Sequence, residues 1–381
     1  MGTAKTARVS IRTLGILLAV SVVITPICQG LCLNLPFNQR IYFVVPAVAF
    51  PLVWGIFLFF FGVVVIHELG HIAFGKLSGL TFDSVQIGRL RWQRIKGKIK
   101  FSETDYPWFD GLTSMRMPKN RRQRWRYFIF VLGGAIPMIC VGLWFVNWVA
   151  GAMTPAQADR GALIAAILFT AIFTLAPFVP YRQGANYSDG HHLISMLRDW
   201  PRYERHLAAH NLAIDLRDDL DLDEEELTLA ASVPADKHSY GIALYCRYYQ
   251  RLEERDNEGA KAQLETLLAG IPPTLGVYYV VRAHAAFFHG YFEKNATRAQ
   301  DFLSSIMAEQ FPTSYAYLLA VAGTRYAQGR WPEARSAATE ILDACEGRFN
   351  DSPSLIEAEA LRAIREESIQ KSAAAVVASP V

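Results

Sequence analysis

The chain has 381 residues, 52% of them hydrophobic and 19% charged, with a formal net charge of +3. That length allows two or three domains, and the apolar share exceeds that of an ordinary soluble protein. The small charge excludes a nucleic-acid partner of the usual basic kind. The five cysteines, Cys28, Cys32, Cys140, Cys246 and Cys345, form no C-x-x-C pair, which argues against a disulfide framework and a thiolate metal site.

The apolar residues gather in 13–33, 41–75, 127–153 and 161–180. The first run follows Lys5, Arg8 and Arg12 and has no small-x-small cleavage site after its core, so it reads as a retained span. The second is longer than one span needs, and Pro46 and Pro51 interrupt it, which places the span at about 51–77. The third and fourth spans are about 127–153 and 161–180. The segment 82–126 is rich in Lys and Arg and holds only Asp83, Glu103, Asp105 and Asp110 as acids, whereas Arg40 and Arg160 stand in the opposite loops. This bias predicts a multi-pass protein of the cell (inner) membrane, with the bilayer as partner and with 82–126 and both termini cytoplasmic. The stretch "KNRRQRWR" would also suit lipid headgroups. Within the basic segment, "DSVQIGRLRWQRIKGKIKF" alternates around K-G-K, which predicts a β-hairpin turning near Gly97.

Beyond the spans the composition becomes that of a soluble unit. An acidic stretch, "DLRDDLDLDEEEL", reads as a solvated face or a linker within 201–235. Residues 236–350 hold three helix–turn–helix units, in which Ala260, Ala296 and Ala334 recur at intervals of 36 and 38 residues and Gly290 and Gly329 fall near turns. This pattern loosely resembles tetratricopeptide repeats and predicts a solenoid-like domain, a plain helical bundle being the alternative. The end, 351–381, reads as a helix end and a disordered tail. The expected fold is therefore an all-α polytopic membrane protein of about four transmembrane helices with a small cytoplasmic β-hairpin insertion, followed by a soluble α-helical domain. Its expected parts are 1–40 (tail and first span), 41–200 (membrane core), 201–235 (linker), 236–350 (helical repeats) and 351–381.

The chemistry lies in "VVVIHELGHIAFG", residues 63–75. On a helix, His67 and His71 share one face a turn apart and can offer two imidazoles to one zinc ion. Glu68 is turned by about 100° from His67. It would stand beside the ion, where it can take a proton from bound water. Ionisable groups inside an apolar span are functional by default. With Lys76 at the cytoplasmic boundary, His71 and His67 lie roughly 8 and 14 Å inside it. A catalytic zinc wants a third protein ligand. Phe74 and Leu77 stand where the long metzincin pattern needs Gly and His, and Glu103 fits a soluble thermolysin-like arrangement poorly. The better candidate is Asp189 in "NYSDGHH", after a segment broken by Pro177, Pro180 and Gly184. Its alternative role is an N-cap on "GHHLISMLR". His191 and His192 read as helix-start residues.

"HELGH" in an early span, a basic cytoplasmic segment and "DG" after a proline-interrupted span together resemble the site-2 protease family over about 50–200. The resemblance implies an intramembrane zinc metalloprotease with one zinc per chain, held by His67, His71 and Asp189, and Glu68 as general base. It implies a transmembrane protein or peptide substrate cut near the cytoplasmic face in regulated intramembrane proteolysis. Thr174 stands where the family has Asn, and Asn186 is the candidate to supply that amide for substrate or oxyanion positioning. "GGAIPMI" departs from the family's Gly-Pro-x-x-Asn element, and Gly133 and Gly134 read as close helix-packing positions. The hairpin over 84–101 is expected to offer an edge for strand addition of the substrate. A competing expectation is a membrane-bound adaptor with a non-catalytic zinc site, whose cytoplasmic helical domain recruits a protein partner. A zinc transporter would need polar positions in several spans, and spans one, three and four offer almost none.

Overall fold

The computed structural model describes residues 37–104, 110–118, 124–152, 160–180, 182–183, 186–218, 220–270, 276–306, 315–345 and 355–378. The first expected span, 13–33, lies outside them. Helix α1, Phe37–Leu77, runs 41 residues without interruption. Pro46 and Pro51 do not end it, contrary to expectation. Proline keeps a helical φ and removes one hydrogen bond, a loss that a long helix with intact turns on both sides absorbs. The helix stops at Gly79, whose φ of +80° is left-handed. There Gly79 N bonds Lys76 O at 2.9 Å and Leu80 N bonds Gly75 O at 2.9 Å, a helix-terminating turn that delivers the chain into a sheet.

That sheet has strands β1 (Thr81–Ile87), β2 (Leu90–Ile95), β3 (Lys98–Glu103) and β4 (Gly111–Arg116) in the order β3-β2-β1-β4. Every pairing in it is antiparallel. The expected hairpin is present as β2–β3. Ile95 pairs with Lys98, and the two loop residues, Lys96 and Gly97, have φ of 48° and 78°, the left-handed pair of a type I′ turn. It is half of a larger sheet, because β4 adds itself on the far side of β1. "GLTSMR" is too short and too mixed to announce a strand by alternation.

The third expected span is two helices, α2 (Arg124–Gly133) and α3 (Ala135–Ala152), parted at Gly134. Helix α4 (Arg160–Leu175) is followed by a 3₁₀ turn, Ala176–Phe178. The chain then forms a two-stranded ribbon, β5 (Arg182–Gln183) with β6 (Asn186–Tyr187), before helix α5 (Asp189–Arg198). Among the described residues, two stretches are long and apolar enough to cross a membrane, Phe57–Leu77 and Arg124–Gly151. At 16 residues, α4 alone is shorter than a bilayer core requires. Large apolar side chains stand exposed on all three elements, among them Leu58 and Leu69 on α1, Leu143 and Trp148 on α3, and Leu168 and Ile172 on α4.

The stretch expected as a linker is folded. Helices α6 (Trp200–Arg217) and α7 (Glu224–Ala231) bury Leu212, Leu227 and Ala230 against helix α8 (Lys237–Glu253). Asp215 and Glu226, part of the acidic run, are buried because Arg116 and Asn211 meet them from elsewhere in the chain. A second core joins α6 to the sheet, α2 and α5 through Met115, Met117, Tyr127, Phe130, Met196 and Leu207.

The three expected repeats are α8 with α9 (Asn257–Gly270), α10 (Gly276–Tyr291) with α11 (Ala296–Ser304), and α12 (Tyr315–Ala327) with α13 (Trp331–Cys345). Each turn contains one left-handed residue, Arg255, Lys294 or Gly329. Five positions later comes a fully buried alanine, Ala260, Ala299 or Ala334. The equivalent residue in the second unit is thus Ala299, and the expected Ala296 merely opens α11. Gly290 meets the backbone of Gly323, letting α10 and α12 cross closely. The tail expected to be disordered continues as helix α14, Leu355–Ala378. Leu361 and Ile364 anchor it in the repeat core, and its alanine-rich end has high helix propensity.

Two of the three repeat turns place a side chain in the left-handed region, which favours glycine. The Arg255 side chain is 82% exposed and meets Glu359 only at 3.8 Å, so it contributes little there. Arg255→Gly is expected to stabilise the repeat unit by about 0.5–1 kcal/mol, read as a raised urea midpoint; an unchanged or lowered midpoint would show that this turn is not strained.

Candidate metal centre

Helix α1 sets His67 and His71 one turn apart, with ring centroids 4.7 Å apart and planes at 86°. His71 Nδ1–H donates to the Phe130 carbonyl at 2.8 Å. That bond fixes the tautomer in which Nε2 carries the lone pair, the form that ligates metals. His71 Nε2 then faces His67 Nε2 at 3.1 Å and Asp189 Oδ2 at 3.2 Å, and His67 Nε2 lies 2.9 Å from the same carboxylate oxygen. Lone pairs pointing at one another across such distances repel unless a proton or a cation sits among them. A tetrahedral zinc with ligand bonds of about 2.0–2.1 Å places its donors roughly 3.3–3.4 Å apart, close to the triangle seen here.

Asp189 lies 122 positions further along the chain than His67. It opens α5, but the cap expected of it as an alternative is supplied by Ser188, whose Oγ accepts from His191 N at 3.2 Å and donates to Val179 O at 2.8 Å. The Asp189 carboxylate is left to face the histidines. Gly190 makes this possible in a specific way: a Cβ there would sit 2.0 Å from the Phe178 carbonyl oxygen. The start of α5 is pressed onto the 3₁₀ turn, which brings Asp189 back to α1.

The two glycines before α3 do different work. Gly133 fulfils the packing expectation, since it and Gly70 form the crossing of α2 with α1, and a Cβ on Gly70 would lie 2.3 Å from Gly133 O. Gly134 faces the imidazoles: a Cβ there would fall 2.6 Å from both His67 Nε2 and His71 Nε2. Any side chain at 134 would fill the space into which the three donors point. The donor set and this cradle fit one small cation.

Glu68 is buried beside the triad. Its Oε2 accepts a 2.6 Å hydrogen bond from Thr113 Oγ1, and Gly111 leaves room where a Cβ would meet Oε1. Strand β4 therefore seats this carboxylate. His192 Nδ1 is engaged with Tyr203 OH at 2.7 Å, and the group of potential ligands among the described residues is His67, His71 and Asp189. Glu103 is in β3, ion-paired with Arg89 at 3.3 Å. The backbone of Asn186 pairs with Gln183 in the short ribbon; its side chain lies outside the described residues.

The sequence does not single out Thr113, Ser188 or the Phe130 carbonyl, and it points to helix packing for Gly134, which instead faces the imidazoles. The G-G pair closing an apolar helix was a usable signal for Gly134; a lone threonine and a backbone carbonyl carry none. Comparison with protein-family models, curated proteins and solved structures finds no match. Chemically, the site brings together two imidazole nitrogens and one carboxylate oxygen, with a second carboxylate, Glu68, buried on the same helix.

Gly134→Ala is expected to cut metal content at least tenfold in folded, purified protein, measured by elemental analysis. Gly62→Ala, at a position with nothing within 4 Å, serves as the control and should leave it unchanged. Full metal retention in Gly134→Ala would mean that the cradle is not the binding space.

Proposed function

We propose that this chain is a membrane-embedded zinc endopeptidase of the site-2 protease kind, cutting a transmembrane protein or peptide near the cytoplasmic face. The observation that carries this is the meeting of His67 Nε2, His71 Nε2 and Asp189 Oδ2 beside a buried glutamate, in an apolar helix. The exposed apolar side chains on α1, α3 and α4 support a bilayer as the surrounding medium. The Lys and Arg bias supports placement in the cell membrane with both termini cytoplasmic.

His67, His71 and Asp189 would hold a zinc ion, which when bound would supply a Lewis acid for activating a water and polarising a substrate carbonyl. Thr113 holds Glu68 Oε2, which leaves Oε1 to accept the proton of the attacking water and later deliver it to the leaving amine. A helical substrate hides its scissile bond in intrahelical hydrogen bonds and must unwind before attack. Strand β4 is an edge strand whose Gly111 and Thr113 lie against Glu68, so an extended segment added to that edge passes the carboxylate. The expected 84–101 hairpin offers the other edge of the sheet, its outer strand β3. Asn186, just before Asp189, is the candidate amide for positioning the substrate carbonyl.

A non-catalytic zinc site in a membrane adaptor would fill four positions with protein ligands, and three converge among the described residues. That favours catalysis. The repeat domain can still recruit a cytoplasmic partner to the same protease.

With Glu68→Gln in cells, zinc is expected to stay at one per chain while at least one uncleaved membrane protein accumulates, seen by comparative membrane proteomics. Asp189→Ala should accumulate the same protein and lose the zinc. If neither variant changes the membrane proteome and Asp189→Ala keeps its zinc, the peptidase reading is wrong.

A further inference from the structure

We infer that helix α6, which belongs to the C-terminal helical unit, is a positioning element for Glu68, acting through β4 with Asn211 as its principal residue; the inference rests on the peptidase reading above. At its beginning, β4 touches the carboxylate: Gly111 makes room for Glu68, and Thr113 Oγ1 bonds Oε2 at 2.6 Å and reaches the main-chain oxygen of Glu68 at 3.4 Å. From the next residue onward, α6 grips the strand. Ser114 Oγ lies 2.9 Å from His210 Nε2 and donates to Asp83 Oδ2 at 3.0 Å. Arg116 is ion-paired with Asp215, a fully buried carboxylate of α6.

Beyond the strand's last residue, the Asn211 side chain takes the place of a neighbouring strand. Its Oδ1 accepts from Met117 N at 3.2 Å, and its Nδ2 donates to Met117 O at 3.1 Å. Nδ2 also donates to Glu226 Oε1 of α7 at 2.8 Å, which fixes the amide's orientation. The sheet alone does not hold this end firmly. β4 has one strand neighbour, β1, and their register shifts between Phe82 and Ser84. Two buried polar side chains at a helix–strand contact are a poor choice for stability, since apolar packing would serve equally well. Their directional bonds do what apolar packing cannot: they set the register and tilt of β4, and with them the place of the Thr113 hydroxyl. A catalytic group displaced by about 1 Å can cost roughly a hundredfold in rate.

The experiment uses the full chain in membranes, the membrane protein that accumulates with Glu68→Gln as substrate, and the variants Asn211→Ala, Thr113→Val and their combination. Each single variant should lower kcat about tenfold or more at unchanged KM and unchanged zinc content. Because both act on one hydrogen bond, the double variant should be no slower than the slower single variant. Multiplied losses, or an Asn211→Ala enzyme with normal kcat, would overturn the inference while leaving the peptidase reading intact. If Asn211→Ala does not fold, Ser114→Ala removes one hydroxyl from the same contact and should lower kcat in the same direction. Amide hydrogen exchange requires no substrate and keeps the two readings separate. Residues 111–117 should exchange faster in Asn211→Ala or Ser114→Ala, with 237–345 unchanged, and unaltered exchange at 111–117 would refute the coupling of α6 to β4.

Discussion

Two imidazole nitrogens of α1 and one carboxylate oxygen of α5 converge beside Gly134, and most of the N-terminal half of the chain is arranged around that fact. Such groups are costly to bury without a partner. They are tolerated where other elements fix each of them and a cation can complete the set. His71 is fixed by the Phe130 carbonyl, Asp189 by the Ser188 cap and the turn at Phe178, and the space itself by the absence of a side chain at Gly134.

The same constraint explains the interruptions in the helices. The break at Gly134 divides what reads as one span, so that backbone rather than side chain faces the imidazoles. The short α4 and its 3₁₀ turn lead the chain back to where Asp189 meets α1. On the other side, the sheet that follows α1 folds back so that β4 seats Glu68. The C-terminal helices, through α6, hold that sheet in place. The N-terminal part and the helical unit thus share a core and a set of buried polar contacts.

Local signals in the chain were read well where the physics is local. The i and i+4 histidines, the K-G-K turn and the three helix pairs all depend on residues close in sequence, and they stand where periodicity placed them. The failures share one cause. Pro46 and Pro51 looked like breakers because the hydrogen bonds flanking them are not visible in composition. The acidic run around Asp215 and Glu226 looked solvated because Arg116 is distant in sequence and Asn211 meets Glu226 only once α6 and α7 pack together. Ala296 was matched in place of Ala299 because the turns differ in length, and only the left-handed residues Arg255, Lys294 and Gly329 reveal the true phase.

By itself, the sequence determined the two-histidine face of α1, the glutamate beside it, the distant Asp189 as a further donor worth seeking, and a helical repeat unit in the C-terminal half. These follow from helical geometry and donor chemistry, which a few neighbouring residues suffice to set. Tertiary structure alone decided how Asp189 reaches the histidines, that Gly134 shapes the cradle, and that Thr113 seats Glu68 on a strand whose end Asn211 binds. Each of those depends on atoms brought together across long stretches of chain, and no pattern along one segment carries that information.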